Sequence, residues 1–264
     1  MSHVSWQAYV INLPSAVDRW RCMQVKLEEA GVPFTRIEAI LGRGLPQPYP
    51  EFDEVGHRRR TGRRPIPAEI GCYLSHLKAI DSLLESGQTH GLILEDDAVF
   101  APGFRAIIDA ALAQADAWDV LRLQTVNRDR VIPAFPIDAR HALGVSLTRS
   151  KGAAAYVLSR KAAEVFRRRL RPMRLAYDIA FDVEYLWGLR AVAVTPHPIT
   201  ADETAPTQIQ TNINSYKGGA SRYLTVFPFR AAMEMARLTC RMPLLASLWL
   251  RAATRRSGHR GADQ

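Results

Sequence analysis

The chain has 264 residues, of which 47% are hydrophobic, and its formal charge is +9 at pH 7. This composition excludes an intrinsically disordered chain, and the length allows one large α/β domain or two small ones. The positive charge favours an anionic partner such as nucleic acid, anionic lipid or a phosphorylated substrate.

Cysteine usage and the two chain ends predict a cytoplasmic location. Cys22, Cys72 and Cys240 have no metal-ligand spacing, so we expect no disulfide framework. The N-terminal "MSHVSWQAYVINL" lacks a basic segment followed by a long apolar core, so no secretory signal is predicted. The apolar run "MPLLASLWL" has about half of the ~20 residues that a membrane-spanning helix needs. Contact with a membrane surface stays open.

Apolar runs and helical periodicity alternate through the first half of the chain. The predicted strands and helices, in order, are strand 6–13, helix 18–31, strand 34–40, helix 67–87, strand 91–96 and helix 102–116. Residues 42–66 are rich in Gly, Pro and Arg, which predicts a long loop.

The second half continues the alternation and then changes. The predicted elements are strand 119–124, strand 152–159, helix 160–170, helix 177–190 and strand 191–196. This order predicts an α/β fold with a mostly parallel central sheet flanked by helices. Residues 1–221 are therefore assigned to one domain. Residues 222–264 mix arginines with apolar residues and are assigned to a basic, helical, amphipathic C-terminal tail.

Three consecutive carboxylates, Glu95, Asp96 and Asp97, follow the apolar run "GLIL". In open α/β sheets, ligands bind beyond the carboxyl ends of the strands. Adjacent carboxylates repel one another and resist burial, and a hard divalent cation relieves both costs. The triplet therefore predicts a site for Mn²⁺ or Mg²⁺ and a diphosphate. The alternative is a solvated acidic turn.

The segment "IPAEIGCYLSHLKAIDSLLESGQTHGLILEDDAVF" resembles glycosyltransferase family 25, the lipooligosaccharide-biosynthesis glycosyltransferases. Four further segments resemble the family in the expected order: "YVINLPSAVDRW", "FTRIEAILGR", "GAAAYVLSRKAAEVF" and "YDIAFDVEYLWGLRAVAVTPHPI". The resemblance covers about residues 8–200. The ordered set is specific, whereas the EDD triplet alone is weak. Ser15 stands where the family commonly has Arg, so only Asp18 and Arg19 carry over from the opening motif.

The resemblance implies a GT-A-like nucleotide-sugar-binding fold in residues 1–221. It also implies inverting, metal-dependent transfer of a hexose, usually galactose, from a UDP-sugar to a lipooligosaccharide, lipopolysaccharide or related cell-surface glycan. By analogy, Glu95, Asp96 and Asp97 form a DxD-like motif that holds Mn²⁺ or Mg²⁺, with Asp97 as the closest ligand. His197, just past a strand end, is a candidate for a further metal ligand.

Five residues are candidates for binding the donor, and Asp96 of the acidic triplet is one of them. Asn12 ends the first strand and is expected to line the uridine pocket. Arg19 begins the first helix and is expected to orient phosphate or ribose. The alternatives are a turn-forming asparagine and a surface arginine. Ser75 and His76 in "CYLSHL" carry a donor-pocket role or structural support, the alternative for His76 being a packed core residue.

Transfer also needs a base, because an acceptor hydroxyl is a poor nucleophile. Asp178 in "LAYDIAF" matches the family's Asp and is the first candidate. Asp182, one helical turn later, is the second. The alternative for either residue is an aspartate that stabilises a helix N-terminus.

The basic segments leave other functions open. The tail is expected either to lie on an anionic membrane or to pack on the domain or another subunit. One rival function is a metal-dependent phosphohydrolase or nucleotidyltransferase, although the chain has no P-loop. A second is a basic nucleic-acid-binding module, but no nucleic-acid motif is present, so no nucleic-acid partner is expected. A third is an inactive relative kept as a scaffold, which the intact triplet disfavours.

Overall fold

The computed structural model describes residues 4–127, 129–201 and 216–260. Ten strands lie within these residues: β1 (Trp6–Asn12), β2 (Phe34–Glu38), β3 (His90–Glu95), β4 (Ala98–Phe100), β5 (Val120–Arg122), β6 (Val131–Pro136), β7 (Ala142–Ser146), β8 (Ala155–Ser159), β9 (Ala191–Thr195) and β10 (Ile199–Ala201). The α-helices there are α1 (Val17–Glu29), α2 (Glu54–Thr61), α3 (Pro67–Glu85), α4 (Phe104–Leu112), α5 (Arg160–Arg169), α6 (Tyr177–Phe181) and α7 (Tyr223–Arg260).

Eight of these strands form the central sheet, in the order β2-β1-β3-β8-β5-β9-β7-β6. β1 pairs in parallel with β2 and β3, and β5 pairs in parallel with β9. The remaining neighbours pair antiparallel, because β7 and β8 run against the other six strands. The predicted α/β class with a central sheet flanked by helices is confirmed, and six of the eight strands run in one direction. β8 inserts antiparallel between β3 and β5, and β7 is antiparallel to both of its neighbours, so the sheet is mixed.

Helices cover both faces of the sheet. On one face, α3 and α5 pack their apolar stripes against the sheet in a core that includes Tyr9, Ile80 and Phe166. On the other face, α1 and α4 pack with the inner part of α7 in a second core that includes Leu27, Ile108 and Leu248. The sheet is therefore the middle of three layers, as its apolar strands require.

A short helix, α2, lies inside the segment predicted to be a long loop. Asp53 begins it, and its Oδ1 accepts a hydrogen bond from the Gly56 backbone at 2.8 Å. Gly62 ends it with φ +66°, a conformation that glycine adopts without strain. Because α2 is mostly polar and arginine-rich, it carries no apolar stripe for periodicity to detect.

The second half of the chain differs from prediction in two further ways. β6 and β7 were not predicted. β6 carries Pro133 and Pro136 and is tolerated because it lies at the edge of the sheet. The helix predicted over 177–190 is two short pieces, α6 and a 3-10 turn at Glu184–Trp187.

The predicted C-terminal tail is α7 in its described part. Its inner face packs on the domain through Val226, Leu245 and Leu248, all buried. Of the alternatives for the tail, packing on the domain is confirmed for this face. No helix in the described ranges combines the length and hydropathy that crossing a bilayer requires.

Two buried arginines of α7 hold the segment after α6 by ion pairs. Arg241 Nη2 lies 2.7 Å from Glu184 Oε1 and 3.0 Å from Asp182 Oδ1. Arg237 Nη2 lies 2.8 Å from Asp182 Oδ2, and Arg122 Nη2 of β5 lies 3.0 Å from Asp182 Oδ1. We call these five residues the buried ion network. Their mutual contacts hold three guanidinium groups and two carboxylates together in the interior, where all five residues are buried.

We expect Arg241→Met to lower the free energy of unfolding by about 3–5 kcal/mol, because it removes the cation that lies closest to the buried Glu184 carboxylate. Arg251→Met is the matched control on the same helix. Arg251 pairs with Asp116 where the two side chains are 39% and 70% exposed, so its loss should cost about 0–1 kcal/mol. Denaturant unfolding of both variants measures the difference. Equal midpoints would contradict a structural role for the network.

Candidate active site

The acidic triplet lies where the parallel strands end. Glu95 is the last residue of β3, and Asp96 and Asp97 form the turn between β3 and β4. Parallel pairing places Ile11 of β1 opposite Glu95, so that Asn12 comes next to Asp96. The Glu95 backbone donates to the Ala154 carbonyl at 2.8 Å, which brings the start of β8 to the same edge.

Asp96 is held by the two residues predicted to bind the donor. Asn12 Nδ2 donates to Asp96 Oδ2 at 2.5 Å, and Arg19 Nη1 lies 3.2 Å from Asp96 Oδ1. Asn12 is itself fixed, because Nδ2 also donates to the Ala16 carbonyl and Oδ1 accepts from Arg36. Burial raises the pKa of Asp96, while the bond from Asn12 and the charge of Arg19 oppose that rise. The predicted group of Asn12, Arg19 and Asp96 is thus brought together.

Asp97 is the acid with an unused oxygen. Burial, and then the charges of Glu95 and Asp96, raise its pKa to about 6. Its Oδ1 is buried and has no hydrogen-bond partner in the described part of the chain. Such an oxygen is costly unless something fills its coordination, and a divalent cation with carboxylate ligands does so. The residues present therefore fit the predicted metal.

His76 orients the remaining acid of the triplet. Its Nε2 lies 3.3 Å from Glu95 Oε1, and its Nδ1 lies 3.0 Å from the Tyr156 hydroxyl. The imidazole stacks on the Tyr177 ring at 3.9 Å between centroids. His76 is thus a packed residue, as the alternative held, and it is also in contact with the predicted site.

Ser75 has a different place from His76. Its hydroxyl donates to the Gly71 carbonyl at 2.7 Å and accepts from the Ile40 backbone at 2.8 Å. It is buried, and it ties α3 to the segment that follows β2. The structural-support alternative therefore describes these contacts of Ser75, and its predicted donor-binding role stays a prediction.

The two predicted bases are separated by the end of α6. Asp178 is partly exposed. Burial is the main reason why the pKa of the Cys72 thiol and the pKa of the Glu69 carboxyl are raised, and the negative charge of Asp178 adds to both rises. Asp182 is buried in the ion network with three arginines on its two oxygens. Because arginines occupy both of its oxygens in the interior, this geometry does not support Asp182 as the base. α6 ends at Phe181, and the two aspartates therefore do not continue one helix face.

His197 contacts Asp129. Its Nε2 is 3.4 Å from Asp129 Oδ1, and Asp129 also accepts from Ser150 Oγ at 2.6 Å. Its Nδ1 is buried and has no hydrogen-bond partner among the described residues. The role of His197 as a metal ligand stays a prediction.

Sequence reasoning missed the residues that surround His76 and Glu95. Tyr156 and Tyr177 are buried and bond to each other at 2.7 Å between hydroxyls. Tyr156 lies in an apolar strand and Tyr177 in a short helix, and neither sequence pattern indicates that the residue belongs to a site. Cys72 lies four residues before His76 on α3, and a helical wheel would have placed the two on one face.

A cavity lined by five arginines among mostly apolar residues opens beside α2, α5 and α7. Its volume is about 450 Å³, and Arg60, Arg168, Arg174 and Phe229 are among the lining residues. We call it the basic cleft. Arg60 also borders an adjacent cavity with Arg59 and Phe229. The arginine run that was predicted as a loop thus contributes to a concave, cationic surface.

We expect Asp178→Asn and Asp182→Asn to have opposite effects on stability. Asp178→Asn removes a charge that repels Glu69, so the unfolding midpoint should stay unchanged or rise. Asp182→Asn breaks the buried ion network and should cost about 3–5 kcal/mol. Thermal and denaturant unfolding test this pair. Destabilisation by Asp178→Asn comparable with that by Asp182→Asn would contradict the separation.

Comparison with known proteins places this geometry in a family. The family model described as "Glycosyltransferase family 25 (LPS biosynthesis protein)" matches residues 6–181. That range covers more than half of the chain and includes the acidic triplet and Asp178. It ends before Asp182, His197 and α7.

Curated relatives agree in name with the family model. A "Glycosyltransferase 25 family member" of Anopheles gambiae is 30% identical over 131 residues, 46% of this chain and 21% of the relative. "Procollagen galactosyltransferase 1-B" of Xenopus laevis is 28% identical over 152 residues, 53% of this chain and 24% of the relative. "Inactive glycosyltransferase 25 family member 3" of Homo sapiens is 26% identical over 207 residues, which are 73% of this chain and 31% of the relative. The chain thus spans less than a third of the length of these relatives.

A comparison of folds gives more distant similarities. The crystal structure of a glycosyltransferase involved in glycosylation of the major capsid of PBCV-1 has a TM-score of 0.40 and 9% identity, covering 86% of this chain and 98% of that chain. The crystal structure of A197 from STIV has a TM-score of 0.41 and 11% identity, covering 72% of this chain and 81% of that chain.

Proposed function

The chain belongs to glycosyltransferase family 25, and from this premise we propose that it is an inverting, metal-dependent hexosyltransferase with a GT-A-like site. The donor is a UDP-sugar, with galactose as the first candidate. The acceptor is a lipooligosaccharide, lipopolysaccharide or related cell-surface glycan. One observation carries the proposal: at the carboxyl end of β3, beside Glu95 and Asp96, Asp97 presents a buried oxygen that no other described residue contacts by a hydrogen bond.

Glu95 and Asp97 would hold Mn²⁺ or Mg²⁺, with Asp96 fixed behind them by Asn12 and Arg19. When bound, such a cation neutralises the charge of the departing diphosphate as a Lewis acid. The side chain of Arg19 is about one third exposed, so it also offers a cation to donor phosphate. His76 keeps one oxygen of Glu95 in place.

Asp178 is proposed as the base for the acceptor hydroxyl. It is partly exposed and lies close to Cys72 and Glu69, on the α3 side of the triplet. The hydroxyl oxygen would attack the anomeric carbon as its proton passes to Asp178, and UDP would leave from the opposite face. Attack opposite to the leaving group inverts the anomeric centre.

The basic cleft supports a phosphorylated acceptor. Its arginines lie along α2 and the end of α5, and Tyr73 joins it to the helix that carries Cys72 and His76. An anionic glycan core seated there would meet several cations without displacing the carboxylates of the metal site. The positive net charge of the chain suits such a substrate.

A donor screen tests the activity. Purified protein is mixed with each UDP-sugar and an acceptor glycan, with and without Mn²⁺, and released UDP is measured. We expect turnover with UDP-galactose or UDP-glucose that a chelator abolishes. Asp97→Asn should lower kcat/KM at least about 100-fold while the fold survives, because only a ligand charge is removed.

The matched control is Asp116→Asn. Asp116 lies in the turn before β5, away from the triplet, and its side chain is 70% exposed. This variant should keep wild-type turnover. Asp97→Asn with wild-type activity would overturn the site. Inorganic phosphate as the product would favour the phosphohydrolase alternative instead, and no turnover with any nucleotide sugar would favour an inactive scaffold, as the name of the human relative states for that protein.

We further propose that α7 lies on the inner face of the cytoplasmic membrane, beside anionic lipid. Its outer side carries exposed apolar residues at helical spacing, namely Leu224, Phe227, Met235, Leu238, Met242 and Trp249. We call this set the outer apolar face. Arg230 and Arg255 are exposed on the same helix and suit acidic headgroups. A second copy of the chain is the other occupant that such a face accommodates.

Vesicle co-sedimentation separates these occupants. We expect the protein to bind vesicles that contain phosphatidylglycerol, more weakly at high salt, and to ignore neutral phosphatidylcholine vesicles. Met235→Glu with Leu238→Glu should abolish binding without loss of stability, since both side chains are exposed. A dimer in solution that the same double variant dissolves, without vesicle binding, would contradict the membrane assignment.

A further inference from the structure

A thiol, an imidazole and a carboxylate meet beside the acidic triplet. Cys72 Sγ, a ring nitrogen of His76 and a carboxylate oxygen of Glu95 all lie within 4.8 Å of one another. Among the described residues, this is the set of at least three such side chains whose ligand atoms all lie that close together. The three side chains come from α3 and from the end of β3, two elements that pack tightly in one core.

The local fold prepares this group. Cys72 and His76 are four residues apart on α3, so their side chains lie on the same face of the helix. The Tyr156 hydroxyl on Nδ1 and the stacked Tyr177 ring fix the imidazole. Nε2 is thereby aimed at Glu95. A second partner on the far nitrogen of a histidine is the usual support of a metal-binding imidazole.

The distances suit a small tetrahedral ion. Around Zn²⁺, with bonds of about 2.3 Å to sulfur and 2.0–2.1 Å to nitrogen or oxygen, neighbouring ligand atoms lie about 3.3–3.6 Å apart. The separation of 3.3 Å between His76 Nε2 and Glu95 Oε1 already has this value. The separations that involve Cys72 do not exceed 4.8 Å, so rotation of one side chain closes the set.

The surroundings favour a cation at this position. Glu69 and Asp178 lie close enough to Cys72 for their charges to act on it, and both are acids. A bound divalent ion would offset this concentration of negative charge. Thiolate and imidazole ligands select Zn²⁺ and similar ions over Mn²⁺ and Mg²⁺, which prefer oxygen.

We propose that Cys72, His76 and Glu95 form a second cation site, which takes Zn²⁺ or another thiophilic divalent ion with three protein ligands and one open position. An ion bound at this second site would keep a Glu95 oxygen directed towards His76 of α3. If the proposed function holds, the site is inhibitory, because Glu95 then serves the second ion in place of the donor-binding ion.

Co²⁺ titration tests the site without any assay of activity. The protein used is the full chain with Cys22→Ser and Cys240→Ser, which leaves Cys72 as its one thiol. We expect one equivalent of Co²⁺ to produce a thiolate-to-cobalt charge-transfer band, and Zn²⁺ to displace it. A protein that shows no such band at saturating Co²⁺ overturns the proposal.

Three variants in that background locate the ligands. Cys72→Ser, which is nearly isosteric, should abolish the band. Glu95→Gln should weaken Co²⁺ binding at least about tenfold. Asp97→Asn is the matched control: it removes a neighbouring carboxylate that is no ligand of this site, so the band should persist. A band that survives Cys72→Ser, or that disappears with Asp97→Asn, overturns the assignment. Circular dichroism checks that each variant is folded.

Inhibition is measured separately, with the activity found in the donor screen. Micromolar Zn²⁺ should inhibit the Mn²⁺-supported wild-type enzyme at least about tenfold more strongly than the Cys72→Ser enzyme, each relative to its own zinc-free rate. Equal zinc sensitivity would overturn the inhibitory role while the cobalt band retains the site. Absence of all transfer activity would overturn the proposed function and leave the cobalt result intact.

Discussion

Repulsion among three adjacent carboxylates is the constraint around which this end of the sheet is built. Each acid of the triplet has different neighbouring side chains. Asp96 accepts a hydrogen bond from Asn12 and pairs with Arg19, Glu95 contacts His76, and Asp97 has an oxygen without a partner among the described residues. Two of the acids are thus fixed by neighbouring side chains, and the third is the one on which the proposed cation site depends. The raised pKa of Asp97 has the same origin, since burial and its neighbours both oppose its ionisation.

The buried ion network explains why α7 belongs to the domain. Arg237 and Arg241 reach the segment directly after α6, and α6 carries Asp178. The cations of α7 thereby fix where the chain turns after Phe181 and, with it, how α6 presents Asp178 to the site. α7 lies beyond the residues that the family model matches. Its packed face supports the proposed catalytic domain, while its outer apolar face stays available for contact with lipid.

Much of the site follows from local sequence, and the errors come from long-range contacts. An apolar run that ends in carboxylates is enough to place Glu95, Asp96 and Asp97 at a strand end. The register that brings Asn12 to Asp96 depends on the pairing of β1 with β3, which residue patterns do not state. Helical periodicity continued through Asp182, whereas partners on β5 and α7 pull Asp182 into the interior. The direction of β8 was hidden for the same reason, since a strand followed by a helix reads identically in either orientation.

Glu95 connects the chemistry of the two proposed cation sites. One oxygen of Glu95 faces His76, while Asp96 and Asp97, the next residues along the chain, belong to the proposed donor site. Glu95 therefore lies between a group of oxygen ligands and a group that offers sulfur and nitrogen. Oxygen donors on the Asp97 side favour Mn²⁺ or Mg²⁺, while sulfur and nitrogen on the α3 side favour Zn²⁺. A single carboxylate seldom serves both ions fully, because each requires its own bond lengths and directions. Competition for Glu95 therefore follows from the packing of α3 against β3, and it needs no conformational change larger than the rotation of a side chain.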